Sequence, residues 1–146
     1  MKAAIEDCVN VVVGIGSAKA RQDMRNPFSY EERARMVRAT FGDTVTVVAI
    51  PDIHDPTRWV GHVLSITGPV DKVYGNHDRD LDLFDEARID TVRPGLVDRQ
   101  RYEATAVRMR LAEGDPDWRR DVPTAVIPIL EEIGAGKRLR LLEARA

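Results

Sequence analysis

From Val9 to Ile15 the chain is apolar at every position except Asn10 and Gly14. A valine-rich run of this kind, closed by Gly14-Ile15-Gly16-Ser17, predicts a strand buried on both faces, as in a parallel sheet. Val45 to Ile50 repeats the pattern, Val70 to Tyr74 is a shorter third strand, and Asp90 to Arg93 a weak fourth. Between these runs the spacing becomes helical. Ala3 to Cys8 reads as the last turns of a helix. Ser29, with Glu32 three residues on, predicts a capping box that opens a helix to about Thr40, ended by Gly42. Helices are predicted again from Thr57 to Ile66 and from Leu81 to Ala87. The pattern is helical from Thr105, is broken at Asp115-Pro116-Asp117, and resumes over Val122 to Ile133 and Leu139 to Leu142.

Strands alternating with helices of this length predict βαβ units in a Rossmann-like α/β fold, a single domain over residues 1–146. In such sheets ligands bind beyond the carboxyl ends of the strands. Right-handed crossovers bring Gly16-Ser17, Pro51-Asp52, Gly75-Asn76 and the loop over 94–103 to one edge.

Composition narrows the picture only a little. Twenty-two basic against 24 acidic residues leave a net charge of −2, which argues for neither nucleic acid nor an anionic membrane as a bulk partner. One cysteine, Cys8, excludes an intrachain disulfide. No apolar run is long enough to span a bilayer, and the cytoplasm is the expected location.

The chemistry-bearing segments each admit two readings. Gly14-Ile15-Gly16-Ser17 lets backbone approach a ligand, or is a plain turn. Phe28 lines a pocket lip, or packs onto its own helix as a hydrophobic staple. Asp52 and Ile53, with Trp59 on the next helix, suit a ribose and a flat ring; equally, Trp59 is core and the acid a cap. Gly75 and Asn76 offer open backbone and an amide, or a turn. Arg99 to Arg110 is the most pointed segment. Thr105 opens a helix, where free N–H groups attract anions, and Arg108 lies one turn on along the same face. A hydroxyl, a helix start and a guanidinium suit a polyphosphate, although an exposed basic helix would look similar. The three histidines, His54, His62 and His77, show no metal-ligand spacing with Cys8.

In this order, the segments resemble the archaeal-type nicotinamide-nucleotide adenylyltransferases. The likeness rests on Val12 to Ala18, Asn26-Pro27-Phe28 with Glu32-Arg33, Pro51-Asp52-Ile53 with Trp59-Val60, and Gly75-Asn76. It continues through Arg101-Tyr102, Thr105, Arg108 and Arg110 to Asp117-Trp118-Arg119, Val122-Pro123 and Glu131-Glu132-Ile133. The resemblance implies a nucleotidyltransferase sheet with helices on both faces and a helical C-terminus. It implies adenylyl transfer from ATP to nicotinamide mononucleotide (NMN), giving NAD and pyrophosphate, with Mg²⁺ carried in on ATP. It implies ATP phosphates at Thr105 and Arg108, both in catalytic roles, and adenosine near Gly75 and Asn76. NMN falls to Ser17, Phe28, Asp52, Ile53 and Trp59. A homo-oligomer is also expected.

Two departures shape the expectation. Glu103-Ala104 stands where the family has Ser-Gly, which sets an acid beside the phosphates. The family's opening strand, Gly-Arg-Phe-Gln-Pro-Phe-like turn and His-x-Gly-His have no match in this chain. That strand belongs between the runs at 9–15 and 70–74, so these residues alone are expected to be marginal, rearranged or dependent on another strand. A degenerate nucleotide-binding homologue without catalysis, and a related transferase acting on another phosphate ester, stand beside the main expectation.

Overall fold

The computed structural model describes residues 1–95 and 103–146. In chain order its elements are α1 (Lys2–Asp7), β1 (Val12–Ile15), α2 (Tyr30–Phe41), β2 (Thr46–Ala49), α3 (Pro56–Thr67), β3 (Lys72–Tyr74), α4 (Asp78–Glu86), β4 (Asp90–Val92), α5 (Ala104–Glu113), α6 (Ile127–Glu132) and α7 (Ala135–Ala144). Arg99, Gln100, Arg101 and Tyr102 of the basic segment lie outside the described residues. Two compact units emerge: Met1–Ala18 with Asp43–Leu96, and Lys19–Gly42 with Val97–Ala146.

The first unit holds the strands. β1 and β2 run parallel, Val12 opposite Thr46 through Ile15 opposite Ala49. β3 and β4 run parallel, Lys72 opposite Asp90 through Tyr74 opposite Val92. The parallel βαβ reading therefore holds, but the described strands form two separate pairs, not one sheet. Nor is the first strand covered on both faces: Val12 is 39% exposed, and Val9, expected inside the strand, is 98% exposed. An apolar run records a preference for burial. Whether a face is covered depends on a neighbour that the run itself does not encode.

Local chemistry explains the helix starts. Asp55 caps α3, its carboxylate accepting from the Thr57 N–H at 3.0 Å and the Thr57 hydroxyl at 2.7 Å, with Pro56 at the first helical position. Those bonds, the hydroxyl's foremost, hold the Asp55 carboxyl below its usual range. α4 begins at Asp78, three residues before the apolar pattern, because Asp78 and Asp80 in its first turn suit the positive end of the helix dipole. Its apolar face buries Leu81 and Phe84. Arg93, just after β4, pairs with Asp78, Asp82 and Asp85 and clips α4 to that strand. α1 is tied to β3 through Asp7, which accepts from the Tyr74 hydroxyl and from Lys72. The Tyr74 bond first, then Lys72, holds the Asp7 carboxyl low.

The second unit is helical. The predicted capping box is present: Ser29 Oγ accepts from the Glu32 N–H at 3.1 Å, and the Glu32 carboxylate accepts from the Ser29 N–H at 3.0 Å. Leu111, Trp118, Val126, Leu130, Ala135 and Leu139 form the core, with Phe28 and Met36 packed against it. α5 and α7 approach so closely that a Cβ on Gly136 would lie 2.6 Å from the Leu111 carbonyl oxygen. Arg138 on α7 reaches back to Glu32 at 2.6 Å and to the Pro27 carbonyl at 3.3 Å. Burial works to raise the Glu32 carboxyl, but Arg138 and the Ser29 N–H prevail and hold it low. Arg110 pairs with Asp121 at 2.7 Å, where the aspartate side chain is only 6% exposed.

Candidate functional site

In the first unit the expected ligand residues follow the strand ends. Ser17 lies two residues after β1, while Asp52 and Ile53 follow β2. The parallel pairing continues past the last strand residues: the Ile50 N–H donates to the Ile15 carbonyl at 2.9 Å, and the Ala18 N–H to the Ile50 carbonyl at 3.4 Å. Ser17 and the Pro51-Asp52 turn are therefore neighbours at one end of this pair. Ser17 has φ of 49° and His54 φ of 52°. Left-handed backbone at residues other than glycine is uncommon and costs about 1 kcal/mol or more. Two such residues beside one strand end mark a shaped loop surface. Gly16 is open, with nothing within 4 Å of where a Cβ would stand.

Trp59 stands in the first turns of α3, half-buried. Its ring meets that of His62 with centroids 5.7 Å apart and planes at 39°. His62 Nε2 lies 2.8 Å from the Pro51 carbonyl oxygen, so one imidazole touches both the indole and the turn that carries Asp52 and Ile53. Metal-ligand spacing among the histidines carries no sign of this arrangement. The i, i+3 relation of His62 to Trp59 on one helix face is the available signal.

Gly75 and Asn76 follow β3, and the Gly75 N–H donates to the Val92 carbonyl at 3.1 Å. Asn76 Oδ1 accepts from the Gly95 N–H at 2.9 Å, fixing the turn after β4. The side-chain oxygen is thus engaged within the turn. A cavity of about 500 Å³ near the amino ends of β3 and β4 is lined by Lys72, Arg88 and Asp90, none of them a candidate residue.

In the second unit Thr105 is the second residue of α5 and exposed. Arg108 Nη2 donates to Thr105 Oγ1 at 3.4 Å, so hydroxyl and guanidinium meet beside the first-turn N–H groups. Glu103 is the N-cap residue of α5 and makes no side-chain capping bond there. Phe28 packs half-buried against the core cluster of the second unit, whose buried members lie outside the helix that Phe28 precedes. Among the described residues no group of three or more His, Cys, Asp or Glu could hold a metal ion, and no helix is long and apolar enough to cross a membrane.

No family model matches the chain. The nicotinamide-nucleotide adenylyltransferase of Methanolobus tindarius is 36% identical over 143 residues, spanning 96% of this chain and 82% of that protein. The one from Archaeoglobus fulgidus is 31% identical over 154 aligned positions, spanning 99% and 88%. The chain also resembles a solved structure from Francisella tularensis, a bifunctional NMN adenylyltransferase/ADP ribose pyrophosphatase complexed with AMP and a Mn ion. That match has a TM-score of 0.65 at 18% identity, over 95% of this chain and 46% of the other, and concerns the fold.

Proposed function

The chain belongs to the nicotinamide-nucleotide adenylyltransferase family, and on that premise we propose that it joins the adenylyl group of ATP to NMN, giving NAD and pyrophosphate. The observation that carries the reading is the meeting of Arg108 with Thr105 on the first turn of α5. An oxygen of the NMN phosphate attacks the α-phosphorus of ATP. The new P–O bond forms as the bond to the β-phosphate bridge breaks, and the electron pair leaves on pyrophosphate. Such a displacement needs alignment and charge neutralisation more than covalent help from the protein. Arg108 supplies forked N–H donors, Thr105 a hydroxyl, and the helix start its unpaired N–H groups and positive dipole. In this reading Thr105 and Arg108 bind the ATP phosphates, and Gly75 and Asn76 the adenosine. Ser17, Phe28, Asp52, Ile53 and Trp59 are the residues assigned to NMN. Mg²⁺ accompanies the ATP phosphates, whose oxygens suit that hard ion. The same reading carries a cytoplasmic location and a homo-oligomer, checked by fractionation and by light scattering.

Kinetics of Arg108→Ala and Arg108→Lys test the assignment. A charged hydrogen-bond donor lost from a phosphate costs about 1.5–3 kcal/mol, so kcat/KM for ATP should fall by roughly 10- to 150-fold in Arg108→Ala. Arg108→Lys should recover only part, since it keeps the charge but not the fork. Unchanged kcat/KM in both variants would remove Arg108 from the site.

A further inference from the structure

We propose that His62 is a positioning residue for the nicotinamide side of the site, tying the β2–α3 turn to α3 and setting the attitude of the Trp59 ring. The proposal rests on the reading of Trp59 as the residue against which NMN stacks. Its geometry is independent of that reading. A carbonyl oxygen only accepts, so the 2.8 Å contact to Pro51 requires the hydrogen of His62 to sit on Nε2. Tautomer and ring orientation are then fixed together. The fixed ring lies 5.7 Å from the Trp59 ring at 39°, one helical turn away on the same face.

The turn needs such a tie. Before it, the chain is held to β1 by the Ile50 N–H bond to Ile15. After it, Asp55 caps α3. In between run Pro51, Asp52, Ile53 and His54, the last with φ of 52°, a conformation that persists only where its surroundings hold it. His62 grips this stretch at its first residue. Freeing Pro51 would let Asp52 and Ile53 drift, while loss of the imidazole would let the indole turn. Both changes act on the nicotinamide half of the reaction and leave the Thr105–Arg108 pair untouched.

Three variants and one spectrum test this. His62→Phe keeps a ring beside Trp59 but loses the donor. His62→Gln keeps an N–H of similar reach, and His62→Asn carries one that is too short. KM for NMN should rise about 5- to 10-fold in His62→Phe and His62→Asn, with KM for ATP unchanged, and His62→Gln should recover most of the loss. On the unaltered protein, ¹⁵N NMR of the histidine rings should show His62 protonated at Nε2 with Nδ1 bare. An Nδ1–H tautomer overturns the proposal, as does a His62→Phe variant whose two KM values match the parent's or rise together. If the unaltered protein binds NMN and Trp59→Ala weakens it while His62→Phe does not, this proposal alone fails. If the unaltered protein does not bind NMN, the reading beneath it fails as well.

Discussion

Replacing Trp59 with alanine separates the two substrates more cleanly than any other single change. Trp59 is half-buried in the first turns of α3, and His62 meets it at a tilt of 39°, not stacked face to face. Stacking of a flat ring on an aromatic side chain is worth about 1–3 kcal/mol by alanine substitution. Because part of the indole is already covered by protein, we take about 2 kcal/mol, which corresponds to roughly 30-fold weaker NMN binding. The helix itself should tolerate the change, since alanine is the better helix former. The protein reports on this directly, because it has two tryptophans. Trp118 is 5% exposed in the helical core, so its emission follows the fold of the second unit, and quenching on adding NMN should come from Trp59. In Trp59→Ala, Trp118 emission should remain that of a buried ring, quenching by NMN should vanish, and calorimetry should show the loss for NMN with ATP unaffected. Equal weakening of both nucleotides, or of neither, would refute the stacking role.

Other expectations follow from charge and capping. Glu103→Ser should lower KM for ATP by several-fold, because it removes a carboxylate from the start of α5, and should add about 0.5–1 kcal/mol of stability through a proper N-cap; KM for ATP and a thermal melt check it. Glu32→Gln should destabilise the protein by about 1.5–3 kcal/mol at neutral pH, because the Glu32–Arg138 pair is mostly shielded, at 20% and 26% exposed. The folded Glu32 carboxyl lies below the ordinary 4.5. Its contribution is therefore complete above that value and disappears as pH falls through the folded pKa. Thermal melts of both proteins should differ at pH 7 and converge in strong acid; a constant difference would contradict the ion pair.

Much of the fold was legible where the cause is local. The Ser29–Glu32 capping box, the Gly42 stop and the alternation of strand and helix are written in neighbouring residues, and the structure has them all. The division of the strands into two pairs was not legible from the runs themselves, because Val9 to Ile15 states a preference and not a partner. The Arg138–Glu32 bond spans 106 positions and leaves no local signature. At the site, the Thr105–Arg108 pair followed from helical spacing and is present. The sequence leaves Asn76 open between an amide offered to a ligand and a turn, and its oxygen is engaged by the Gly95 N–H, a contact made only when the strand ends come together. The bond of His62 to a backbone carbonyl 11 residues back is announced by no side-chain motif, and only its place one turn from Trp59 is legible locally.

The central claim is the reaction itself. Incubation of the protein with ATP, Mg²⁺ and NMN, with NAD and pyrophosphate both quantified, should show the two products formed one for one and both requiring NMN. Nucleotide binding without NAD, or pyrophosphate released in the absence of NMN, would contradict it.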